Sequence, residues 1–248
     1  MASDNSKATA RAQKAAAERA AQAKREARRR ILTIGGVVLA MVIIIGGSVA
    51  FSLVKKNESD KKLEDAASGR SDYGVTIGPD DAPNKVVIYE DFLCPYCGEL
   101  EKRTRDDLAE LAADDKVQVE YRPFDLLSQL GDYPIRAASA FSVVLEKSGP
   151  EVAKKFHDLL YENQPSEKDP GAVTNDDLVD LAVEAGAKEA DVADAIRNVS
   201  NEDWVTEATA EAQKAGVSST PTILLNGKVF DDGRTVDDLA ENLIAALD

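Results

Sequence analysis

The stretch EDFLCPYCGE, residues 90–99, contains the only two cysteines of this 248-residue chain, Cys94 and Cys97. The apolar run VVIY at residues 86–89 comes just before it and predicts a strand that is buried on both faces. After it, leucines recur at helical spacing, and Pro95 suits the first position of a helix, where its missing N–H costs nothing. The sequence therefore predicts a strand, then Cys94 at a helix N-terminus, then Cys97 one turn into the helix.

This placement has a chemical consequence for the two thiols. Only a thiolate attacks a disulfide, and the free N–H groups and positive dipole end of a helix stabilise an anion. We expect Cys94 to be an exposed, readily ionised nucleophile and Cys97 to lie close enough to close a disulfide with it. A purely structural bridge over so short a loop would contribute only about 2 kcal/mol. A zinc site needs four ligands, whereas the chain adds one distant histidine, His157, so we expect no metal.

The remaining sequence alternates between strand and helix patterns. The segment VQVEYRPF (117–124) predicts a strand, and residues 134–201 predict a block of helices. The segment VSSTPTILLNGKVF (217–230) predicts two strands joined by an Asn-Gly turn, and residues 235–247 predict a closing helix. The predicted order is βαβ, a helical block, then αββα.

These motifs, CPYC at a strand–helix junction and a distant Thr-Pro before a βNGβ hairpin, resemble the thioredoxin superfamily. The helical block at about 134–201 is similar to the inserted domain of its DsbA-like branch. The resemblance covers residues 73–248 and implies an α/β, thioredoxin-like fold with a helical insertion and no cofactor. Its site residues match the family by position: nucleophilic Cys94, resolving Cys97, and substrate-binding Thr220 and cis-Pro221. Pro95 and Tyr96 lie between the two cysteines, and we expect them to tune the redox properties of the pair.

One position departs from the family pattern. Many thioredoxin-like proteins carry a buried acid six residues before the first cysteine, where this chain has Ile88. Glu90 and Asp91 lie nearer and one of them could replace that acid, but strand-end acids usually face water, which is what we expect here. We also expect His157 to be a surface or half-buried helix residue rather than a base.

The N-terminal part differs sharply from the rest in charge. Residues 1–30 carry nine Lys/Arg and three Asp/Glu, and residues 31–54 carry no charge. This pattern predicts a cytoplasmic basic tail, a transmembrane helix over 31–54 and a polar linker over 55–72. A cleaved signal peptide is the alternative, since Ser48-Val49-Ala50 resembles a cleavage site. Either alternative places the acidic body outside the cytoplasm, and the uncleaved one makes the chain a single-pass cell-membrane protein. The negative charge of this body disfavours nucleic acid as a partner.

Compartment and motif together indicate an oxidoreductase that donates the Cys94–Cys97 disulfide to cysteines of exported proteins. The family resemblance implies a quinone-linked membrane partner of the DsbB or vitamin K epoxide reductase type for reoxidation. Two alternatives remain open at this point: a reductase or isomerase that uses the same residues, and a non-catalytic anchored domain that binds extended peptides.

Overall fold

The computed structural model describes residues 55–66 and 69–247. The strands in this part are β1 (Val75–Ile77), β2 (Asn84–Glu90), β3 (Val117–Pro123), β4 (Thr222–Leu225) and β5 (Lys228–Phe230). They form one five-stranded sheet in the order β1-β3-β2-β4-β5. Strands β2 and β3 are parallel, and the other neighbouring pairs are antiparallel.

The helices of the described part lie before, between and after these strands. They are α1 (55–66), α2 (Pro95–Ala113), α3 (Tyr133–Ser148), α4 (Pro150–Glu162), α5 (Asn175–Ala185), α6 (Glu189–Arg197), α7 (Glu202–Ala215) and α8 (Val236–Ala245), with 3₁₀ turns at Ser128–Leu130 and Pro170–Ala172. Helices α3 to α6 follow β3 and precede α7 in the chain, so the predicted helical insertion is present. This is the thioredoxin-like α/β architecture that the sequence predicts.

Strand β2 has apolar partners on both faces, as the run VVIY predicts. Successive side chains of a strand point to opposite sides of the sheet. Val86 and Ile88 therefore join the large core cluster, which also contains Leu108 of α2. Tyr89 joins a smaller cluster with Ala212 of α7 on the other face. Because both faces are covered, the end of β2 is held rigidly where the CPYC motif begins.

Helix α2 begins as the sequence predicts. Cys94 is its N-cap residue, with extended backbone angles, and Pro95 lies in the first turn. Leu100, Thr104 and Leu108 form its buried face. The hydroxyl of Thr104 donates a 2.9 Å hydrogen bond to the carbonyl oxygen of Leu100, which satisfies this buried hydroxyl group.

Two features of the fold were not predicted. Strand β1 adds to the sheet edge by antiparallel pairing with β3, but at three residues it is too short to give an alternating pattern. Residues 55–66 are helical, whereas flexible chain was expected there. Leu63 of this helix is buried among side chains that include Ala212 and Leu224. A single apolar side chain in a polar segment leaves no periodicity to detect.

The predicted tail (1–30) and transmembrane helix (31–54) lie outside the described residues, as does the Ser48-Val49-Ala50 segment. Across residues 55–66 and 69–247, no helix combines the length and the apolar character needed to span a bilayer.

Candidate active site at the Cys94–Cys97 turn

The CPYC motif forms a tight turn where β2 passes into α2. The N–H of Cys94 donates a 2.9 Å hydrogen bond to the carbonyl oxygen of Asp91. The carbonyl oxygen of Cys94 accepts hydrogen bonds from the N–H groups of Cys97 and Gly98, at 3.1 and 3.2 Å. Both cysteines are free thiols in this structure. The turn therefore holds the two sulfurs at one helix N-terminus, in the reduced state.

The loop before β4, the strand next to β2, meets this turn. The Sγ atom of Cys94 lies 3.4 Å from the carbonyl oxygen of Thr220. The Thr220–Pro221 peptide bond is cis. The structure thus brings together the two motifs, 126 residues apart in sequence, that carried the family resemblance.

Cys94 lies in an environment that favours its thiolate. A hydrogen bond from the thiol of Cys97 is the largest influence, and burial opposes it. The Thr220 side chain and the backbone N–H groups of Cys97 and Tyr96 add further hydrogen bonds. Together they lower the pKa of Cys94 from 9.0 to about 6. At neutral pH this sulfur is therefore mostly the nucleophilic thiolate.

The pKa of Cys97 is shifted in the opposite direction. Burial disfavours its charged form, and the neighbouring Cys94 sulfur and the Glu90 carboxylate add to the effect. These influences raise the pKa of Cys97 well above its ordinary value. One thiol of the pair is therefore ionised and the other holds its proton.

The exposure of Cys94 is smaller than the sequence predicted. Only 4% of this residue is accessible, because the Thr220 loop and the first turn of α2 cover it. The expectation of an exposed sulfur is corrected in this respect. Tyr96, two residues on, is 62% exposed, so the motif itself reaches the surface.

The helical insertion contributes contacts to the turn that the sequence analysis did not identify. Nε2 of Gln164, just after α4, donates hydrogen bonds to the carbonyl oxygens of Phe92 and Cys94, at 2.8 and 3.0 Å. Gly98 permits this close approach, since a Cβ there would lie 2.5 Å from Oε1 of Gln164. No motif marks such a residue, because its role depends on where the insertion folds back.

Asp91 and Glu90 are both buried, so the expectation that they face water is wrong. The carboxylate of Asp91 accepts hydrogen bonds from the N–H groups of Leu93, Leu126 and Leu127, at 2.8, 2.8 and 2.9 Å. Burial raises the pKa of Asp91 to about 6, against the effect of these three donors. Asp91 therefore fixes the loop after β3 against the turn.

His157 is also placed differently from the expectation. It is completely buried, and its Nε2 atom lies 2.5 Å from Oε1 of Glu90. The KFHDLL segment turns this face of α4 towards the core, where Phe92 and Tyr121 pack around the ring. An apolar helix face with one histidine does not reveal that a buried acid will meet it.

One thiol of this turn has a low pKa and the other a high pKa, and the turn lies beside a cis-proline loop on a thioredoxin-like sheet. These features define a protein thiol–disulfide oxidoreductase. The family model described as "Thioredoxin" matches residues 70–245, and the chain belongs to this thioredoxin family.

Named relatives agree with this assignment. The chain is 28% identical over 204 residues to the "Probable disulfide bond formation protein D" of Bacillus cereus, covering 81% of this chain and 90% of that protein. It is similar to the reduced form of a disulfide bond oxidoreductase (DsbG) from Mycobacterium tuberculosis, with a TM-score of 0.61, 27% identity, and coverage of 75% and 90% of the two chains. The oxidised DsbA of the same organism gives a TM-score of 0.58 at 26% identity, covering 70% of this chain and 90% of that one. The chain is thus a DsbA-like thiol–disulfide oxidoreductase, an enzyme rather than a non-catalytic binder.

Proposed function

We propose that this enzyme oxidises exported proteins outside the cytoplasm by donating its Cys94–Cys97 disulfide to pairs of substrate cysteines. The observation that carries the proposal is the difference in pKa between the two thiols, which is lowered for Cys94 and raised for Cys97. A substrate thiolate attacks Sγ of Cys94 and forms a mixed disulfide, and Cys97 leaves. A second substrate thiolate then attacks the substrate sulfur of the mixed disulfide and releases Cys94 as a thiolate.

The low pKa of Cys94 supports the oxidising direction. A leaving thiolate of low pKa departs more readily, and a disulfide is more oxidising when its reduced form is stabilised. The hydrogen bonds to the Cys94 sulfur stabilise only the reduced protein, since no thiolate exists in the disulfide form. They therefore favour transfer of the bond to a substrate.

The residues around the sulfurs have distinct proposed roles. Thr220 and Pro221 receive an extended substrate segment beside Cys94, supported by the 3.4 Å contact between their loop and the sulfur. Pro95 sets the start of the helix, and the N–H of Tyr96 contributes to the thiolate. The exposed ring of Tyr96 meets the partner protein and thereby adjusts access to the thiol.

The location and the partners follow from the N-terminal sequence and the family resemblance. The proposed arrangement is single-pass, with residues 1–30 in the cytoplasm, the helix 31–54 in the membrane and the catalytic domain outside. A quinone-linked membrane protein reoxidises Cys94 and Cys97 after each turnover. Substrates are exported proteins with pairs of cysteines, since disulfides persist in that compartment.

A reductase or isomerase is the second candidate, and one observation favours it. The pKa of Cys94, about 6, is nearer to the value of about 7 for thioredoxin than to about 3.5 for DsbA. The reduction potential of the Cys94–Cys97 couple decides between them and is measured by equilibration with glutathione buffers. A value near −120 mV, as in DsbA, supports the oxidase, whereas a value near about −270 mV, as in thioredoxin, supports the reductase.

A trapping experiment tests the substrates and the compartment together. The Cys97→Ala variant leaves the mixed disulfide on Cys94 unresolved, so bound partners accumulate and can be identified by mass spectrometry. We expect exported proteins with paired cysteines, and a Cys94→Ser/Cys97→Ala double variant should trap none of them. Recovery of cytoplasmic proteins alone would refute the extracytoplasmic assignment.

A further inference from the structure

A buried polar cluster lies beneath the Cys97 end of the turn, and the reaction as described so far does not use it. It consists of Glu90 at the end of β2, Glu101 in α2 and His157 in α4. One carboxylate oxygen of each glutamate and one ring nitrogen of His157 lie within 4.8 Å of one another. Glu101 is 2% exposed and His157 is fully buried. Three ionisable side chains from three elements have thus been removed from water together, which is costly unless their charges are balanced.

Glu101 is the member of the cluster whose protonation is free to change. Neither of its carboxyl oxygens has a hydrogen-bond partner in the described part of the protein. Burial raises the pKa of Glu101 to about 7, and the nearby His157 limits the rise. A carboxyl group that is half protonated near pH 7 can both give and accept a proton under working conditions.

Glu90 and His157 form a tightly bonded pair beside Glu101. His157 Nε2 contacts Glu90 at 2.5 Å, and Nδ1 lies 3.1 Å from the carboxylate of Asp158. Burial alone would lower the pKa of His157, but the Glu90 charge and the Asp158 bond outweigh it and raise the pKa to about 9. The imidazolium therefore persists at neutral pH and balances charge inside the core.

The same atoms do not form a tetrahedral metal centre as they are arranged. Two ligand atoms at zinc distances of about 2.0–2.2 Å and a tetrahedral angle would be about 3.3 Å apart. The separation of 2.5 Å between Nε2 of His157 and Oε1 of Glu90 is instead that of a short, charge-assisted hydrogen bond.

The cluster is close to Cys97. Glu101 follows Cys97 by four residues on the same buried face of α2, a spacing that puts the Cβ atoms about 5–6 Å apart. The charge of Glu90 is one of the influences that raise the pKa of Cys97, so the cluster and the thiol affect each other. The other titratable or charged groups that act on this region are Lys154, Asp158 and Tyr161 of α4, Tyr121 of β3, Arg105 of α2, and Asp91.

We propose that Glu101 gives a proton to Sγ of Cys97 when that sulfur leaves, and takes it back when Cys97 attacks, while the Glu90–His157 pair holds the charge balance around it. This inference rests on the proposed function and supplies the proton route that Ile88, at the usual family position, cannot provide. Asp91 is less suited to this role because three backbone N–H groups donate to its oxygens and stabilise its charged form.

The proton and electron balance of the step is complete. When a substrate thiolate bonds to Cys94, the Cys94–Cys97 bond breaks and its electron pair goes to Cys97, which takes the Glu101 proton. The second substrate thiolate displaces Cys94 as a thiolate. The substrate has lost two electrons, the enzyme has gained two, and Glu101 is left as a carboxylate. In the reverse direction Cys97 returns its proton to Glu101 as it attacks Cys94.

The resolving step can be isolated by mixing the reduced 248-residue protein with excess oxidised glutathione. Samples are quenched with acid, and mass spectrometry follows the Cys94–glutathione adduct as it forms and as Cys97 resolves it. For Glu101→Gln we expect adduct formation within twofold of wild type and resolution about 10²-fold slower at pH 7. The wild-type resolution rate should level off above about pH 7, whereas that of the variant should continue to rise about tenfold per pH unit.

Glu110→Gln is the matched control, because it makes the same change at an exposed position of the same helix and should behave as wild type. Equal resolution rates and pH profiles for Glu101→Gln and wild type would refute the proton role. Faster resolution in Glu101→Gln would also refute it, since Glu101 would then only repel the Cys97 thiolate. If wild-type protein forms neither this adduct nor the Cys94–Cys97 disulfide, the proposed function fails rather than the proton role.

A second measurement needs no substitution. His157 is the only histidine of the chain, so its ring signal in proton–carbon NMR spectra is assigned without variants. We expect the titration midpoint of His157 to differ between the disulfide and dithiol forms by at least about half a pH unit, because the Cys97–Glu101 proton moves between them. Identical midpoints in the two forms would show that the cluster does not respond to Cys97, and the proposal would be wrong.

Discussion

The two ends of the CPYC turn differ in what surrounds each sulfur. At the Cys94 end, hydrogen-bond donors converge on a sulfur at a helix N-terminus, beside the exposed Tyr96. At the Cys97 end, the sulfur is sealed in the core above buried acids and a histidine. The contrast teaches that one short turn separates two tasks. In the proposed mechanism, the sulfur of Cys94 exchanges bonds with partner proteins, and the sulfur of Cys97 exchanges a proton with Glu101.

Selective alkylation measures this contrast directly and should show the largest effect. At pH 7 we expect iodoacetamide to modify Cys94 about 10³ times faster than Cys97, because only the thiolate reacts and Cys97 is both protonated and buried. Peptide mass spectrometry after brief labelling gives the two rates. Comparable labelling of both cysteines in folded protein would show that the two thiols do not differ in pKa and accessibility as described.

The pH dependence of stability tests the low pKa of Cys94. The pKa of Cys94 is depressed on folding, so the thiolate stabilises the reduced form fully above pH 9, and this stabilisation is lost as the pH falls towards 6. The free energy of unfolding of the reduced form, relative to the disulfide form, should therefore increase by up to about 4 kcal/mol across this window. Chemical denaturation of both forms between pH 5 and 9 provides the measurement. A difference that does not vary with pH would contradict a low pKa for Cys94.

Gln164→Ala tests the contact between the insertion and the turn. The change removes donors to two carbonyl oxygens, and we expect a loss of about 1–2 kcal/mol in unfolding free energy. The exposed Gln213→Ala, whose side chain has no role in the turn, should change stability by less than about 0.5 kcal/mol. If the two variants have equal denaturation midpoints, the insertion does not support the turn.

Thr220→Val gives the smallest expected effect. It removes the side-chain hydrogen bond to the Cys94 sulfur but keeps the size of the residue, and the pKa of Cys94 should rise by about one unit or less. The thiolate absorbance near 240 nm, followed against pH, gives this pKa. Thr220→Ser keeps the hydroxyl and should match wild type. If the pKa of Cys94 is unchanged in both variants, the backbone donors and Cys97 alone determine that pKa.

The sequence predicted the Cys94 end well because each of its parts carries a recognisable motif of its own. Pro95 in the first helical turn, the strand before the motif and the Thr-Pro dipeptide each carry their own signal, and all three lie where predicted. The small exposure of Cys94 was not predicted, since coverage by the Thr220 loop is a tertiary property.

The Cys97 end was not predicted because no motif marks the residues that meet there. Glu90 and His157 meet across 67 residues, and both were expected nearer to water. Glu101 carried one usable signal, an acid four residues after Cys97 beside the leucine face of its helix. A buried acid can be inferred from that spacing only when the packing helix, here α4, is already known.

The double hydrogen bond from Gln164 has a consequence for dissecting this protein. The carbonyl groups that it binds belong to the thioredoxin-like part, while Gln164 itself belongs to the insertion. Excising the insertion to obtain a minimal enzyme would remove the hydrogen bonds that Gln164 donates to the reactive loop, and it would also remove the imidazole of His157. The inserted helices are therefore part of the structure that holds the CPYC turn in place.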